Sequence, residues 1–326
     1  MLRVLFYLLL STSATNLYSG PLNKFFPFKK MHYLGIAKKL KYKPKIAIID
    51  TGIDPTTPGM KSSLSSYNSK LKKFEEASSM NWGYDFSSKI EDYNPTDQHG
   101  HGTHIAGIIN EINPHSRLII IKYFNPMNSD DENLRSTIKA ISKAIELNVD
   151  IINYSSGGEG YSAEEYKVLK KAMEKGIIVI TAAGNFGKNI DKEESAYYPA
   201  SYKLNNIVSV ANVNEANKLH KTSNYGKFNT DIATYGTDVT SWLPGKKLGE
   251  LSGTSQATAI ITGFASMIIG LSDEKLHYTD VKNYLLKFVQ KTPHLKNKIK
   301  SKGIFDSKMF LNNFKKKNSF RNIATK

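Results

Sequence analysis

Cysteine is absent from this chain of 326 residues. That excludes a disulfide framework, a thiolate metal site and a lipid-modified N-terminal cysteine, and leaves packing and hydrogen bonding to hold the fold. Long hydrophobic runs are scarce as well. The apolar run Val4 to Leu10 falls far short of the roughly 20 residues a membrane span requires, and no other stretch reads as a span. Acidic residues are few toward both ends: the net charge is +16, and Asp306 is the only acid from Lys296 to Lys326. The basic runs carry no aromatic interleaving and no nucleic-acid-binding motif, so nucleic acid is not an expected partner. The excess charge reads first as a solvated face that keeps the chain soluble, and second as a field that draws anionic surfaces.

What is present is ordinary for a globular protein, with 40% hydrophobic and 23% charged residues, and the length suits one large α/β domain. The N-terminus reads Met1-Leu2-Arg3, then the apolar run, then Ser11-Thr12-Ser13-Ala14, the pattern of a cleavable export signal. We therefore expect a signal peptide over residues 1–19, a short basic segment over 20–43, a folded domain over 44–314 and a basic disordered tail over 315–326. Export would place the mature chain outside the cytoplasm, secreted or periplasmic, with no stable membrane insertion after signal cleavage.

Short β-branched runs at residues 45–50, 118–122, 151–154, 177–181 and 207–211 predict buried parallel strands. Helices fall between them. Ser129 with Glu132, and Ser162 with Glu165, have the spacing of capping boxes, and Gly176 ends the second helix. Apolar stretches at 105–109 and 257–269 predict two further helices, whereas residues 61–80, rich in Ser and Lys, predict a surface loop. Strand and helix alternation implies a doubly wound, mostly parallel sheet in three layers, with helices on both faces. Ligands in such sheets lie beyond the carboxyl ends of the strands.

Three segments gather there or at helix starts: Asp50-Thr51-Gly52-Ile53-Asp54 after the first strand, His101-Gly102-Thr103-His104-Ile105-Ala106-Gly107, and Gly253-Thr254-Ser255-Gln256-Ala257. Together they hold an acid, a base and a hydroxyl nucleophile. A serine hydroxyl needs an imidazole to take its proton and a carboxylate to hold that imidazole in the right tautomer. Each segment alone is weaker: an Asp after a strand often only caps a turn, and His104 reads as a hydrogen-bonded structural histidine. His99, His101 and His104 have no carboxylate at a familiar ligand spacing, so no metal site is predicted.

On these residues, and from about Lys45 to about Asn312, the chain resembles the subtilisin-like serine proteases, the subtilases. Ile152-Asn153-Tyr154-Ser155-Ser156-Gly157-Gly158 looks like the family's substrate-binding strand, and Ala182-Ala183-Gly184-Asn185 looks like its oxyanion asparagine motif. The resemblance implies that Asp50 orients His101, that His101 is general base and acid, that Ser255 attacks the carbonyl, and that Asn185 with the Ser255 N–H binds the oxyanion. It further implies a side-chain pocket built from Ser155, Ser156, Gly157, Ala183 and Gly184, with Phe186 and Tyr197 near its rim or base. The activity implied is that of a serine endopeptidase acting on proteins or peptides through an acyl-enzyme. A catalytically inactive binding protein on the same fold, and a dedicated processing protease or peptide ligase, are the alternatives. No cofactor is required by this reading. The family's long calcium loop has no counterpart in the short connection from Asn110 to Leu118, although Asp54, Asp85, Asp92 or Asp97 could build a weaker oxygen-lined calcium site.

Overall fold

The computed structural model describes residues 40–68, 73–76, 81–88 and 92–316. The expected signal peptide, residues 20–39 of the basic segment and residues 317–326 of the expected tail lie outside the described residues. Residues 315 and 316 do not begin a tail, because they close the last helix.

Isoleucine-rich segments form the centre of the sheet: β1 (Lys45–Asp50), β5 (Arg117–Lys122), β6 (Ile151–Tyr154) and β7 (Ile178–Ala182). With β4 (Gly83–Asp85), β8 (Ile207–Val213), β9 (Ile232–Tyr235), β12 (Val289–Lys291) and β13 (Gly303–Phe305) they make a nine-stranded sheet in the order β12-β13-β9-β8-β7-β6-β1-β5-β4. Every pairing in it is parallel except β12 with β13 at one edge, and β10 (Val239–Leu243) pairs antiparallel with β11 (Lys247–Leu251) outside it.

Alternation within the strands assigns the two faces. Ile46 and Ile48 of β1 join a core with α1 (His101–Ile112), α4 (Thr254–Leu271), α5 (Tyr278–Lys287) and α6 (Ser307–Lys316), whereas Ala47 and Ile49 join a second core with α2 (Asp130–Glu146) and α3 (Ala163–Glu174). This is the three-layer arrangement expected from the sequence, and each fully buried isoleucine contributes about 1.5–3 kcal/mol. Mean hydropathy of 1.3 over 18 residues gives α4 the length and composition of a membrane span, contrary to the sequence expectation that no second stretch would qualify. Its residues are all buried, so the apolar surface is spent on the protein core. Gly263 lets α4 approach α1 closely, since a Cβ there would lie 2.7 Å from Cβ of Ile112.

Two other expectations change. Residues 61–80 are not a plain loop: β2 (Ser65–Asn68) pairs antiparallel with β3 (Lys73–Glu76), and Tyr67 and Phe74 meet across the pair with ring centroids 5.2 Å apart. A cross-strand aromatic pair stabilises a hairpin without the alternation that marks a strand in sequence. The box at α3 is only half formed. Ser162 Oγ accepts from Glu165 N at 3.2 Å, but the Glu165 carboxylate turns inward and accepts from Tyr154 and Tyr202 hydroxyls at 3.0 and 2.6 Å. The box at α2, Ser129 with Glu132, is complete.

Candidate active site

The carboxyl ends of β1, β6 and β7 lie side by side because β6 sits between the other two. They carry Asp50, the segment beginning at Ser155, and Ala183 to Asn185, respectively. α1 and α4 deliver His101 and Ser255 from their first turns.

The start of α1 is tied to the end of β1 by side chains from outside the helix. Gly102 N donates to Thr51 Oγ1 at 2.8 Å, and Thr103 N donates to Asp97 Oδ2 at 2.8 Å, which satisfies two of the helix's orphan donors. Gly102 packs against Gly52, where a Cβ would come within 2.2 Å of the Gly52 carbonyl oxygen. With the helix start so placed, His101 Nδ1 lies 2.7 Å from Asp50 Oδ1, both side chains being buried. Burial alone would lower the His101 pKa, but the Asp50 charge, its hydrogen bond and the Asp97 charge outweigh it and raise the imidazole above its ordinary range.

Asp97 is engaged throughout. Its Oδ1 accepts from Thr51 Oγ1, His99 N and Gly100 N at 2.9, 3.0 and 2.8 Å, and its Oδ2 accepts from Thr103 N and Thr103 Oγ1 at 2.8 and 2.6 Å. Burial opposes ionisation, yet these bonds hold the carboxyl below the usual range. Asp54, likewise considered as an oxygen ligand, accepts from Thr56 and from Gly245 N. Among the described residues no group of three His, Cys, Asp or Glu could hold a metal ion. His99 stands with its ring centroid 6.3 Å from that of His101, and burial, followed by the His101 charge, lowers its pKa. His104 is the structural histidine expected: buried, with Nε2 3.0 Å from the Val239 carbonyl oxygen and its pKa pushed down to about 3, chiefly by burial.

Ser255 is 6% exposed and its Oγ donates to the Ser155 carbonyl at 2.8 Å, while Ser155 Oγ donates back to the Ser255 carbonyl at 3.2 Å. A buried chain continues from there: Asn153 Nδ2 donates to Ser155 Oγ at 3.0 Å, and Thr262 Oγ1 donates to Asn153 Oδ1 at 2.8 Å. Asn185 is exposed, and its Oδ1 accepts from Thr254 N at 2.9 Å and from Thr254 Oγ1 at 3.1 Å. That fixes the amide plane and turns the NH2 group away from Thr254. The loop carrying Asn185 is itself clamped by the buried Asn224. Its Nδ2 donates to the Ala183 carbonyl at 2.9 Å, and its Oδ1 accepts from Phe186 N and Lys188 N, both at 3.0 Å.

Between the two segments lies Tyr197. A Cβ on Gly157 would fall 2.6 Å from its Cε1, and one on Gly184 would fall 3.1 Å from its Cδ1, so both glycines make room for the ring. Tyr197 is 8% exposed and Phe186 is 44% exposed, with ring centroids 6.1 Å apart. One aromatic is therefore buried between the two glycines and the other lies at the surface. Ser156 is tied by Tyr123, whose hydroxyl donates to Ser156 Oγ at 2.6 Å.

The contacts thus join His101 to Asp50, Ser255 to Ser155, Asn185 to Thr254, and Tyr197 to Gly157, Gly184 and Phe186, with Asp97, offered as a calcium ligand, bonded at the start of α1 instead. Thr254, Asn224 and the capping role of Asp97 were missed. Thr254 stands inside a segment already singled out but was assigned nothing, and Asp97 was weighed only as a ligand. Asn224 has no local signal, because its partners are distant in sequence.

An imidazole bonded to a buried carboxylate, together with a serine hydroxyl in the first turn of a helix, supplies the groups that acyl transfer requires. Comparison with known proteins agrees. Residues 41–303 match the subtilase family model. The major intracellular serine protease of Bacillus subtilis (strain 168) is 34% identical over 242 residues, covering 71% of this chain and 69% of that protein. Subtilisin from Bacillus pumilus is 31% identical, covering 69% of this chain and 76% of that protein. A solved lanthipeptide protease superposes with a TM-score of 0.69 at 21% identity, over 90% of this chain and 97% of that one, which speaks to the fold. The chain belongs to the subtilase family and is a serine endopeptidase.

Proposed function

We propose that Asp50, His101 and Ser255 are the catalytic triad and that the chain hydrolyses peptide bonds through an acyl-enzyme. The observation that carries this reading is the buried 2.7 Å contact between His101 and Asp50, taken with a serine in the first turn of α4. In the mechanism, the Ser255 hydroxyl turns from the Ser155 carbonyl to His101 Nε2, gives up its proton and attacks the scissile carbonyl. His101 then protonates the leaving amine, and the cycle repeats with water. The developing oxyanion accepts from Asn185 Nδ2 and from Ser255 N, near the positive end of the helix dipole. The substrate adds as an extended strand along Ser155, Ser156 and Gly157.

The pocket reading favours small or medium apolar side chains before the scissile bond, because Tyr197 occupies the space between Gly157 and Gly184. Profiling with a peptide library should show them preferred; strong preference for large aromatics or lysine would refute this. A calcium ion is not assigned a role. Export across a membrane is supported by the N-terminal pattern alone, and relatives include an intracellular protease.

A second reading, a dedicated processing protease, is favoured by the likeness to the lanthipeptide protease. Under it the substrate would be one precursor peptide rather than proteins at large. A fluorophosphonate probe tests the triad without knowledge of substrate: the chain should label covalently, and Ser255→Ala should not. Equal labelling of Ser255→Ala would overturn the assignment.

A further inference from the structure

At the end of the sheet where β9, β13 and the edge strand β12 lie, two loops are stitched together. Gly226 N donates to the Lys298 carbonyl at 2.9 Å, Lys300 N to the Thr230 carbonyl at 2.8 Å, and Ser301 N to the Asp231 carbonyl at 3.0 Å. Leu295 and Ile299 are buried beneath them against Ala211, Val213 and Ala233. Anchoring at those two positions turns the intervening lysines outward. Lys227, Lys291, Lys296, Lys298 and Lys302 are exposed on this face, and no acid occurs in the sequence between Asp280 and Asp306.

Two nearby acids, Asp231 and Asp191, are already engaged. Asp231 lies 3.0 Å from Lys282 Nζ and 3.5 Å from Lys300 Nζ, and Asp191 accepts the backbone N–H groups of Phe228 and Asn229. Among the described residues none of the five lysines has a carboxylate partner. At the tip of the first loop Phe228 is 68% exposed, with Lys227 Nζ 5.5 Å from its ring centroid. Lys298 Nζ stands 5.4 Å from the ring of Tyr225, which is itself packed on the core beneath.

We propose that this face docks on an anionic lipid surface, with Phe228 entering the boundary between headgroups and acyl chains and the lysines contacting the headgroups. An apolar ring on a loop tip flanked by cations meets both demands of interfacial binding, apolar burial and attraction to negative lipid. Each lysine close to such a surface strengthens binding roughly fivefold, and the effect fades beyond the Debye length. Single-stranded nucleic acid fits less well, because it needs successive aromatic platforms along a groove. Among the described residues of this face, Phe228 is the one strongly exposed ring.

The test is co-sedimentation of the full chain with phosphatidylcholine vesicles, with and without phosphatidylglycerol. Binding should require phosphatidylglycerol and fall with added salt. The double variant Lys296→Glu with Lys298→Glu should weaken binding at least tenfold, and Phe228→Ala several-fold. Lys167→Glu with Lys170→Glu, an equal charge change on exposed positions of α3, should weaken it far less. Unchanged melting temperatures will confirm that the variants fold. Three outcomes would overturn the proposal: no binding to phosphatidylglycerol vesicles, equal weakening by the two charge-reversed pairs, or competition by a DNA oligonucleotide that binds more tightly than the vesicles.

Discussion

Asn185 carries little of the fold and much of the proposed chemistry. It is exposed, and the side-chain bonds it makes run to Thr254 through Oδ1, which leaves the NH2 group for a transition-state oxygen. Asn185→Ala should therefore lower kcat by about 10²–10³-fold with a smaller change in KM, the scale seen when such a donor is removed from subtilisin itself. A change confined to KM would count against the oxyanion role. On the proposed mechanism His101 supplies the pH dependence. An imidazolium cannot accept the serine proton, so activity is lost as pH falls through the His101 pKa, and the Asp50 charge raises that pKa after burial has been overcome. The acidic limb of kcat/KM should accordingly have its midpoint above the unperturbed value of about 6.5. A midpoint clearly below that value would remove His101 as the base.

At the scale of elements, α1 is the sensitive piece. Its N-terminus is held by Asp97 and Thr51 rather than by its own N-cap, since Gly100 offers no side chain. Replacing Asp97 by Ala would leave several buried donors without an acceptor, and we expect a loss of about 2–5 kcal/mol, read from denaturant unfolding. Activity should fall with it, because His101 is the first residue of the helix. The pKa of Asp97 is depressed, so its contribution is present at neutral pH and down to the unfolded value of about 3.9, and is lost as pH falls through the lower folded value. An Asp97→Ala protein as stable as the parent at pH 7 would contradict this account. Much of the helix was legible: the segment starting at His101 is apolar from Ile105 onward. Its cap was not, since both capping side chains come from residues before the helix and outside the usual N-cap position.

For the whole molecule, stability rests on two cores either side of one sheet and on no disulfide. The acids that might have held calcium are bonded to the chain itself: Asp85 Oδ1 accepts from Ser87 N and Oγ, and Asp92 Oδ1 accepts from Tyr93 N, besides the bonds of Asp54 and Asp97. Those bonds already offset part of the carboxylate charge that would draw a cation. We expect a chelator to shift the melting temperature by less than about 2 °C, since a tightly bound ion contributes several kcal/mol and each would be worth about 2–4 °C. A fall of many degrees in EDTA would show a site that the described residues do not reveal.

The strands and the family were readable along the chain because the signals for both are local. Isoleucine runs such as that of β1 announce burial on two faces, and the short segments around Asp50, His101 and Ser255 each carry their own residue types in contiguous order. The β2 and β3 hairpin escaped notice because Tyr67 and Phe74 acquire meaning only when paired. The inward turn of Glu165 was equally hidden, since its tyrosine partners come from β6 and from beyond β7. Tertiary structure alone decided that an apolar 18-residue helix would be a core element, that Asp97 would cap rather than bind an ion, and that Asn224 would clamp the loop of Asn185. In each case the partner lies far away in sequence, and a hydrogen bond or a buried surface is defined only by the two groups that meet.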